Sequence, residues 1–138
     1  MDRLEPISKP ALVVEDEARV RTLFCEFLGE LGYQPEAVAD GFDAMERLLS
    51  AHYELVILDA NLPGMHGLDL LREMQASMRI VPVLMVSGYH GLKRHNLVNS
   101  YPIIRFLPKP IDMAALKSEV EKLCLRNPSR SLRSYQSP

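Results

Sequence analysis

Four short apolar runs, each followed closely by a polar side chain, recur along this chain. The clearest covers residues 55–58, where Leu-Val-Ile-Leu shows no polar alternation and ends abruptly at Asp59. A run of this kind is typical of a parallel strand that helices cover on both faces. The same pattern predicts strands over residues 11–14, 81–86 and 103–107.

A fifth strand is predicted over residues 33–39, although Pro35 interrupts it. Proline has no amide donor, so a strand that contains it belongs at the edge of a sheet. The order of elements is therefore strand and helix alternating five times, which predicts an α/β fold with a doubly wound, five-stranded parallel sheet and helices on both faces.

Helical spacing fills the intervals between the runs. The first helix carries one apolar stripe and ends at Gly32; the stripe comprises Val20, Leu23, Phe24, Phe27, Leu28 and Leu31. A second helix is predicted over residues 41–50 after the cap residue Asp40, and a third follows Gly64. The second helix is expected to bury Met45, Leu48 and Leu49, and the spacing of Leu68, Leu71 and Met74 predicts the third.

The last two helices differ in the strength of their patterns. Residues 91–100 are weakly patterned, and Pro102 should end the helix by Ser100, which predicts a short and locally unstable element. The final helix begins after Asp112, a suitable N-cap, with Ile111 and Leu116 spaced for a hydrophobic staple.

The length and composition indicate one globular domain. We predict an N-terminal extension over residues 1–10, the domain over 11–126 and a disordered tail over 127–138, where Ser, Pro and Arg dominate. A net charge of -2 gives no reason to expect direct DNA binding, and no apolar run is long enough to cross a membrane. Cys25 and Cys124 are expected to be free thiols in a reducing cytoplasm.

Polar side chains follow the four strong strands. The carboxyl ends of parallel strands meet at one edge of the sheet, so the residues expected there are Glu15, Asp16, Asp59, Ser87 and Lys109. Clustered carboxylates suit a hard divalent cation such as Mg²⁺. A carboxylate can also act as a nucleophile toward phosphorus, while a hydroxyl, an ammonium and a metal hold the phosphoryl oxygens.

The segment from residue 11 to residue 125 resembles the response regulator receiver domains of two-component signalling, in both the identity and the spacing of these polar residues. The motifs that carry the resemblance are Glu15-Asp16, Asp59 with Leu62-Pro63-Gly64-Met65 and Gly67, Ser87-Gly88, and Phe106 with Lys109-Pro110. The resemblance implies a flavodoxin-like fold, with Asp59 as the phosphoacceptor. It also implies that Asp16, Asp59 and the main-chain carbonyl of Asn61 bind Mg²⁺, with Glu15 reaching the ion through water.

The same resemblance assigns roles to the other motif residues and to partners. Ser87 and Lys109 would grip the phosphoryl group, Gly88 would leave space for it, and Phe106 would act with Ser87 as a switch. The implied donor is a sensor histidine kinase or a histidine phosphotransfer protein, and the implied output is altered contact with a downstream protein. A homodimer and the identity of the partners stay open.

Three positions depart from the usual receiver pattern. Glu15 stands where aspartate is commoner, Phe106 lacks the hydroxyl of the tyrosine often found there, and Tyr101-Pro102 replaces a small Gly-Ala pair. Tyr89 lies two residues beyond Ser87, and we expect its ring to hinder water and so slow loss of the phosphoryl group.

Two other functions compete with a receiver that catalyses only its own phosphorylation and dephosphorylation. An aspartyl-nucleophile phosphatase of the haloacid-dehalogenase type needs a second acid two positions after the nucleophile, where this chain has Asn61. A receiver fold used as an unphosphorylated scaffold would not need Asp59, Ser87 and Lys109 together.

Overall fold

The computed structural model describes residues 9–88 and 95–126. Within these ranges, five strands alternate with five helices, as the apolar runs predict. In chain order the elements are β1 (Pro10–Val14), α1 (Ala18–Glu30), β2 (Gln34–Val38), α2 (Gly41–Ser50), β3 (Leu55–Asp59), α3 (Gly67–Ala76), β4 (Val83–Ser87), α4 (Asn96–Ser100), β5 (Ile104–Pro108) and α5 (Met113–Arg126).

The strands form one parallel sheet in the order β2-β1-β3-β4-β5. β2 lies at an edge, as Pro35 predicts, and β3 lies at the centre. Within the sheet, β2 lies next to β1 on one side and β3 lies next to β1 on the other, so the strand order reverses between β1 and β3. Loops diverge at such a point, and the crevice beyond the carboxyl ends is the usual ligand site of this fold.

Successive strand residues point to opposite faces of the sheet and build two separate cores. On β3, Val56 and Leu58 pack beneath α2, α3 and α4, whereas Leu55 and Ile57 pack beneath α1 and α5. All five residues of β3 are buried. This arrangement explains why the run has no polar alternation and gives the acid at its end a rigid support.

The predicted C-terminus of α1 and the predicted N-terminus of α2 are confirmed. After α1, Gly32 adopts a positive φ of 93°, and the amide of Tyr33 donates to the carbonyl of Leu28. At the start of α2, Oδ1 of Asp40 accepts a hydrogen bond of 2.8 Å from the amide of Asp43. Both caps therefore arise from the residue types that the sequence supplies at those positions.

The burial predicted for α2 is wrong at one residue. Leu48 is buried and Met45 packs against the core, but Leu49 is 49% exposed. The face of α2 that meets the sheet passes instead through Gly41 and Ala44. Four residues separate Ala44 from Leu48, which places both on one side of the helix, and Leu49 is rotated away from it.

Helix α4 ends at Ser100, as Pro102 predicts, and Tyr101 then joins the chain to the segment that precedes β4. Tyr101 is 3% exposed; its hydroxyl donates to the carbonyl of Val81 over 2.6 Å and accepts from the Val81 amide over 2.9 Å. Burial raises the pKa of Tyr101 to about 12. The side chain of Gln75 adds a hydrogen bond of 3.0 Å to the Ser100 carbonyl.

Helix α5 begins as predicted, with the Asp112 carbonyl accepting from the Leu116 amide, and Ile111 packs in the same core as Leu116. Cys25 and Cys124 are free thiols. Among the described helices, none is long and apolar enough to span a membrane. The expectations for the predicted start of the fourth helix at Gly91, for Tyr89, for most of the N-terminal extension and for the tail lie outside the described residues.

Candidate functional site

Asp59 is the last residue of the central strand and only 2% exposed. Both of its carboxylate oxygens are held. Oδ1 accepts a hydrogen bond of 3.0 Å from the amide of Asn61, and Oδ2 accepts one of 3.0 Å from Nζ of Lys109. A buried carboxylate needs such partners, because burial without them strongly disfavours its charged form.

Lys109 follows β5 and reaches Asp59 across the end of β4. Its amide donates to the carbonyl of Ser87, which ties the turn after β5 to the end of β4. Partial burial alone lowers the pKa of Lys109, but the hydrogen bond to Asp59 and the nearby acids outweigh that effect and leave the pKa above its ordinary value. The ammonium group therefore stays charged at neutral pH.

Glu15 follows β1 and is 1% exposed. Its Oε2 accepts a hydrogen bond of 3.0 Å from the amide of Glu17, whereas Oε1 has no hydrogen-bond partner among the described residues. Burial, and secondarily the charge of Asp59, raise the pKa of Glu15 to about 7, although its bond from the Glu17 amide and the charge of Lys109 oppose this rise. A buried acid with an unpaired oxygen is costly unless a cation or water joins it.

The predicted acidic cluster is present. Glu15, Asp16 and Asp59 each offer a carboxylate oxygen, and these oxygens all lie within 4.8 Å of one another. Glu17 is the N-cap of α1, so Asp16 does not serve as that cap. Oxygen donors in this number, together with the unpaired Oε1 of Glu15, fit a hard cation such as Mg²⁺.

Sequence reasoning missed Arg21, which lies in the first turns of α1. Its Nη1 donates to the main-chain carbonyls of Glu15 (2.9 Å) and Asp16 (3.2 Å). The guanidinium therefore fixes the backbone of the acidic pair and brings a positive charge close to it. The sequence offers one signal for this role, a basic residue five positions after Asp16. Only the folded chain shows that the side chain of Arg21 reaches back to the acidic pair.

Ser87 and Gly88 lie at the end of β4, beside Asp59 on the neighbouring strand. Ser87 is half-buried, and no described atom would lie within 4 Å of a β-carbon added to Gly88. Among the described residues, none occupies the space beside Gly88 at the end of β4. The sheet brings the predicted polar residues to one edge, and Asn61 extends the same edge through its amide.

Phe106 lies on β5 and is half-buried against the core beneath α2, α3 and α4. With Ile104, Arg105 and Glu119 it lines a depression of about 250 Å³. Arg105 forms an ion pair with Glu119 along this depression. The ring of Phe106 therefore borders this depression on one side.

Comparisons with known proteins identify the family to which this chain is similar. The family model described as the response regulator receiver domain matches residues 11–121. The chain is 33% identical to the chemotaxis protein CheY of Pseudomonas aeruginosa, over 81% of this chain and 93% of that protein. It is 42% identical to the two-component response regulator PhoP of the same organism, over 56% of this chain but only 34% of PhoP.

A solved structure resembles the fold as well. The response regulator protein TrrA of Thermotoga maritima, crystallised in complex with Mg²⁺-BeF, superimposes with a TM-score of 0.74 at 30% identity. The match covers 83% of this chain and 98% of TrrA.

Proposed function

The chain belongs to the response regulator receiver family, and from that premise we propose that Asp59 accepts a phosphoryl group from a histidine kinase or a histidine phosphotransfer protein. Phosphorylation-controlled signalling is the function of this family. The single observation that supports Asp59 is its placement: a buried carboxylate at the end of the central strand, with both oxygens held and Lys109 at 3.0 Å.

The proposed reaction is a direct transfer. One carboxylate oxygen of Asp59 forms a bond to phosphorus while the bond from phosphorus to the donor's imidazole nitrogen breaks, and the electron pair leaves with the imidazole. Lys109 then pairs with a phosphoryl oxygen instead of Oδ2, and the Ser87 hydroxyl donates to another. Gly88 leaves room for the group because it carries no side chain.

Mg²⁺ fits the acidic cluster and is the proposed cofactor. Asp16, Asp59 and the main-chain carbonyl of Asn61 would hold it, and Glu15 would reach it through water. Bound there, the ion supplies positive charge that offsets the repulsion between the carboxylates and the phosphoryl oxygens. Arg21 holds the backbone of Glu15 and Asp16 in place for this binding.

The proposed output is a change in protein contacts. When Ser87 turns toward the phosphoryl group, Phe106 gains space to move inward, and the surface around it changes for a downstream protein. The free thiols suit the cytoplasm, where we place the protein. Catalysis is confined to the protein's own phosphorylation and dephosphorylation, and we propose no direct contact with DNA.

Incubation with acetyl phosphate and Mg²⁺ tests this function against its two alternatives. A receiver should take up one phosphoryl group per chain as an acid-stable, alkali-labile acyl phosphate and then stop. Continuous release of phosphate from many unrelated monoesters would instead indicate a phosphatase, although Asn61 stands where that class needs its second acid. No uptake, with Mg²⁺ bound, would indicate a scaffold.

A further inference from the structure

The segment between β3 and α3 determines the geometry around Asp59. Its Asn61 amide donates to Oδ1 of Asp59, and its ends are tied by two main-chain hydrogen bonds, from Ala60 to Val86 and from Gly67 back to Ala60. Between those ties Leu62 is buried and Met65 packs against the same core, while Pro63 and Gly64 are exposed. The exposed part of the segment is therefore the turn at Pro63 and Gly64.

Gly64 is the most permissive residue of this segment. Its φ is +79°, a conformation that glycine adopts readily and other residues rarely adopt. Pro63 before it and Met65 after it are joined by a hydrogen bond of 2.9 Å between the Met65 amide and the Pro63 carbonyl. A further contact on Gly64 would therefore help this hydrogen bond to fix the chain between Pro63 and Met65.

The first turn of α2 supplies that contact through two close approaches. A β-carbon added to Gly41 would lie 2.6 Å from Cβ of Met65, so the helix backbone meets the segment directly. A β-carbon added to Gly64 would lie 2.7 Å from Cε2 of Phe42, so one edge of the aromatic ring covers this glycine. Asp40 fixes the same turn by capping α2.

Phe42 has no comparable role in the core. It is 60% exposed, and α2 meets the sheet through other residues, chiefly Ala44 and Leu48. An exposed phenylalanine gains little from burial, yet its ring lies against the turn that follows the phosphoacceptor. A ring in this position would hinder rotation at Gly64, which lies three residues after Asn61.

We propose that Phe42 is a positioning residue for the phosphorylation site, an inference that rests on the function proposed above. Its ring holds Gly64, and through that turn it holds the Asn61 main chain, whose amide orients Asp59 and whose carbonyl is the proposed Mg²⁺ ligand. Phe42 touches neither the ion nor the phosphoryl group. It acts by reducing the cost of ordering the segment when the ion binds.

The test is calorimetric titration of the full, metal-free chain with MgCl₂. Removing residues that orient metal ligands weakens binding by about tenfold to a hundredfold, and a ring contact without a hydrogen bond belongs at the lower end, so Phe42→Ala should raise the Kd about tenfold. Phe42→Leu, which keeps an apolar contact, should lie between wild type and Phe42→Ala. Acetyl phosphate should label Phe42→Ala more slowly at low Mg²⁺, and saturating Mg²⁺ should restore most of the rate.

Leu49→Ala is the matched control, because Leu49 is a half-exposed apolar residue at the other end of the same helix. It should leave the Kd unchanged, while both alanine variants keep similar melting temperatures in EDTA. An unchanged Kd in Phe42→Ala, or an equal loss in Leu49→Ala, would overturn the role of Phe42 alone. Failure of the wild-type chain to bind Mg²⁺ would overturn this inference and the proposed metal site together.

A second variant tests the contact itself. Gly64→Ala places a methyl group against the ring and also strains the positive φ, so it should weaken Mg²⁺ binding in the wild-type background. In the Phe42→Ala background the added methyl group no longer meets the ring, and the further loss should be smaller. Equal losses in the two backgrounds would contradict the coupling.

Discussion

Replacement of Glu15 by glutamine should change how the stability of the metal-free protein depends on pH. The substitution keeps the size of the side chain and removes its charge. In the folded chain the pKa of Glu15 rises from its ordinary value of 4.5 to about 7, with burial the main cause. The unfolded chain therefore loses this proton near pH 4.5, while the folded chain keeps it until about pH 7.

The sign of the effect follows from this difference. Between the two values the folded state binds more protons than the unfolded state, so the contribution of Glu15 to stability falls as pH rises and becomes constant above about pH 7. One pKa unit corresponds to about 1.4 kcal/mol, so the fully charged side chain costs the folded state about 3 kcal/mol. Mg²⁺ should remove most of this cost by binding the charged form.

Urea unfolding in EDTA, at several pH values from about 5 to about 8, measures the effect. Other acids titrate too, so the quantity of interest is the difference between wild type and Glu15→Gln at each pH. Relative to Glu15→Gln, the free energy of unfolding of the wild type should fall by about 2 to 3 kcal/mol from the lowest to the highest pH. A difference that does not change with pH would show that the charge of Glu15 is already compensated in the folded chain, and would refute the reasoning.

Three further predictions concern individual contacts. Tyr101→Phe should lower the free energy of unfolding in urea by about 2 to 4 kcal/mol, because the amide and the carbonyl of Val81 both lose their buried partner. The control Tyr53→Phe removes a less buried hydroxyl beside Glu36 and should lower it by less. Equal losses in the two variants would contradict this reasoning. Lys109→Met should lower the Kd for Mg²⁺ about threefold or more in calorimetry, since the ammonium neutralises part of the acidic cluster. As a control, Lys122→Met at an exposed lysine should leave the Kd unchanged. A higher Kd in Lys109→Met would contradict the charge argument. Asp16→Asn should weaken Mg²⁺ binding more than Glu15→Gln does, because only Asp16 is proposed to touch the ion, and the opposite order would assign direct contact to Glu15.

Much of the fold could be predicted because a strand that is buried on both faces has an uninterrupted run of apolar residues. The uninterrupted run before Asp59 indicated a strand covered on both faces, and Pro35 indicated an edge strand; the burial of β3 confirms the first and the sheet order confirms the second. The site residues came together for the same reason. Once four strands are parallel, their carboxyl ends share one edge, whatever the details of packing.

The errors and omissions arise where distant segments meet. Helical spacing alone could not decide whether Leu49 or Ala44 faces the sheet, because both border the same apolar stripe. Arg21 and Phe42 act on segments that only the folded chain brings beside them. Tyr101 departs from the usual receiver pattern, and its bonds to Val81 depend on how the chain after α4 meets the segment before β4.

The central claim is that Asp59 carries the phosphoryl group, and peptide mapping by mass spectrometry tests it most directly. After incubation with acetyl phosphate and Mg²⁺, the chain should gain the mass of one phosphoryl group, located on the peptide that contains Asp59. Asp59→Asn should abolish the gain while the variant remains folded. Uptake of one group by Asp59→Asn, or location of the group on Glu15 or Asp16, would contradict the assignment.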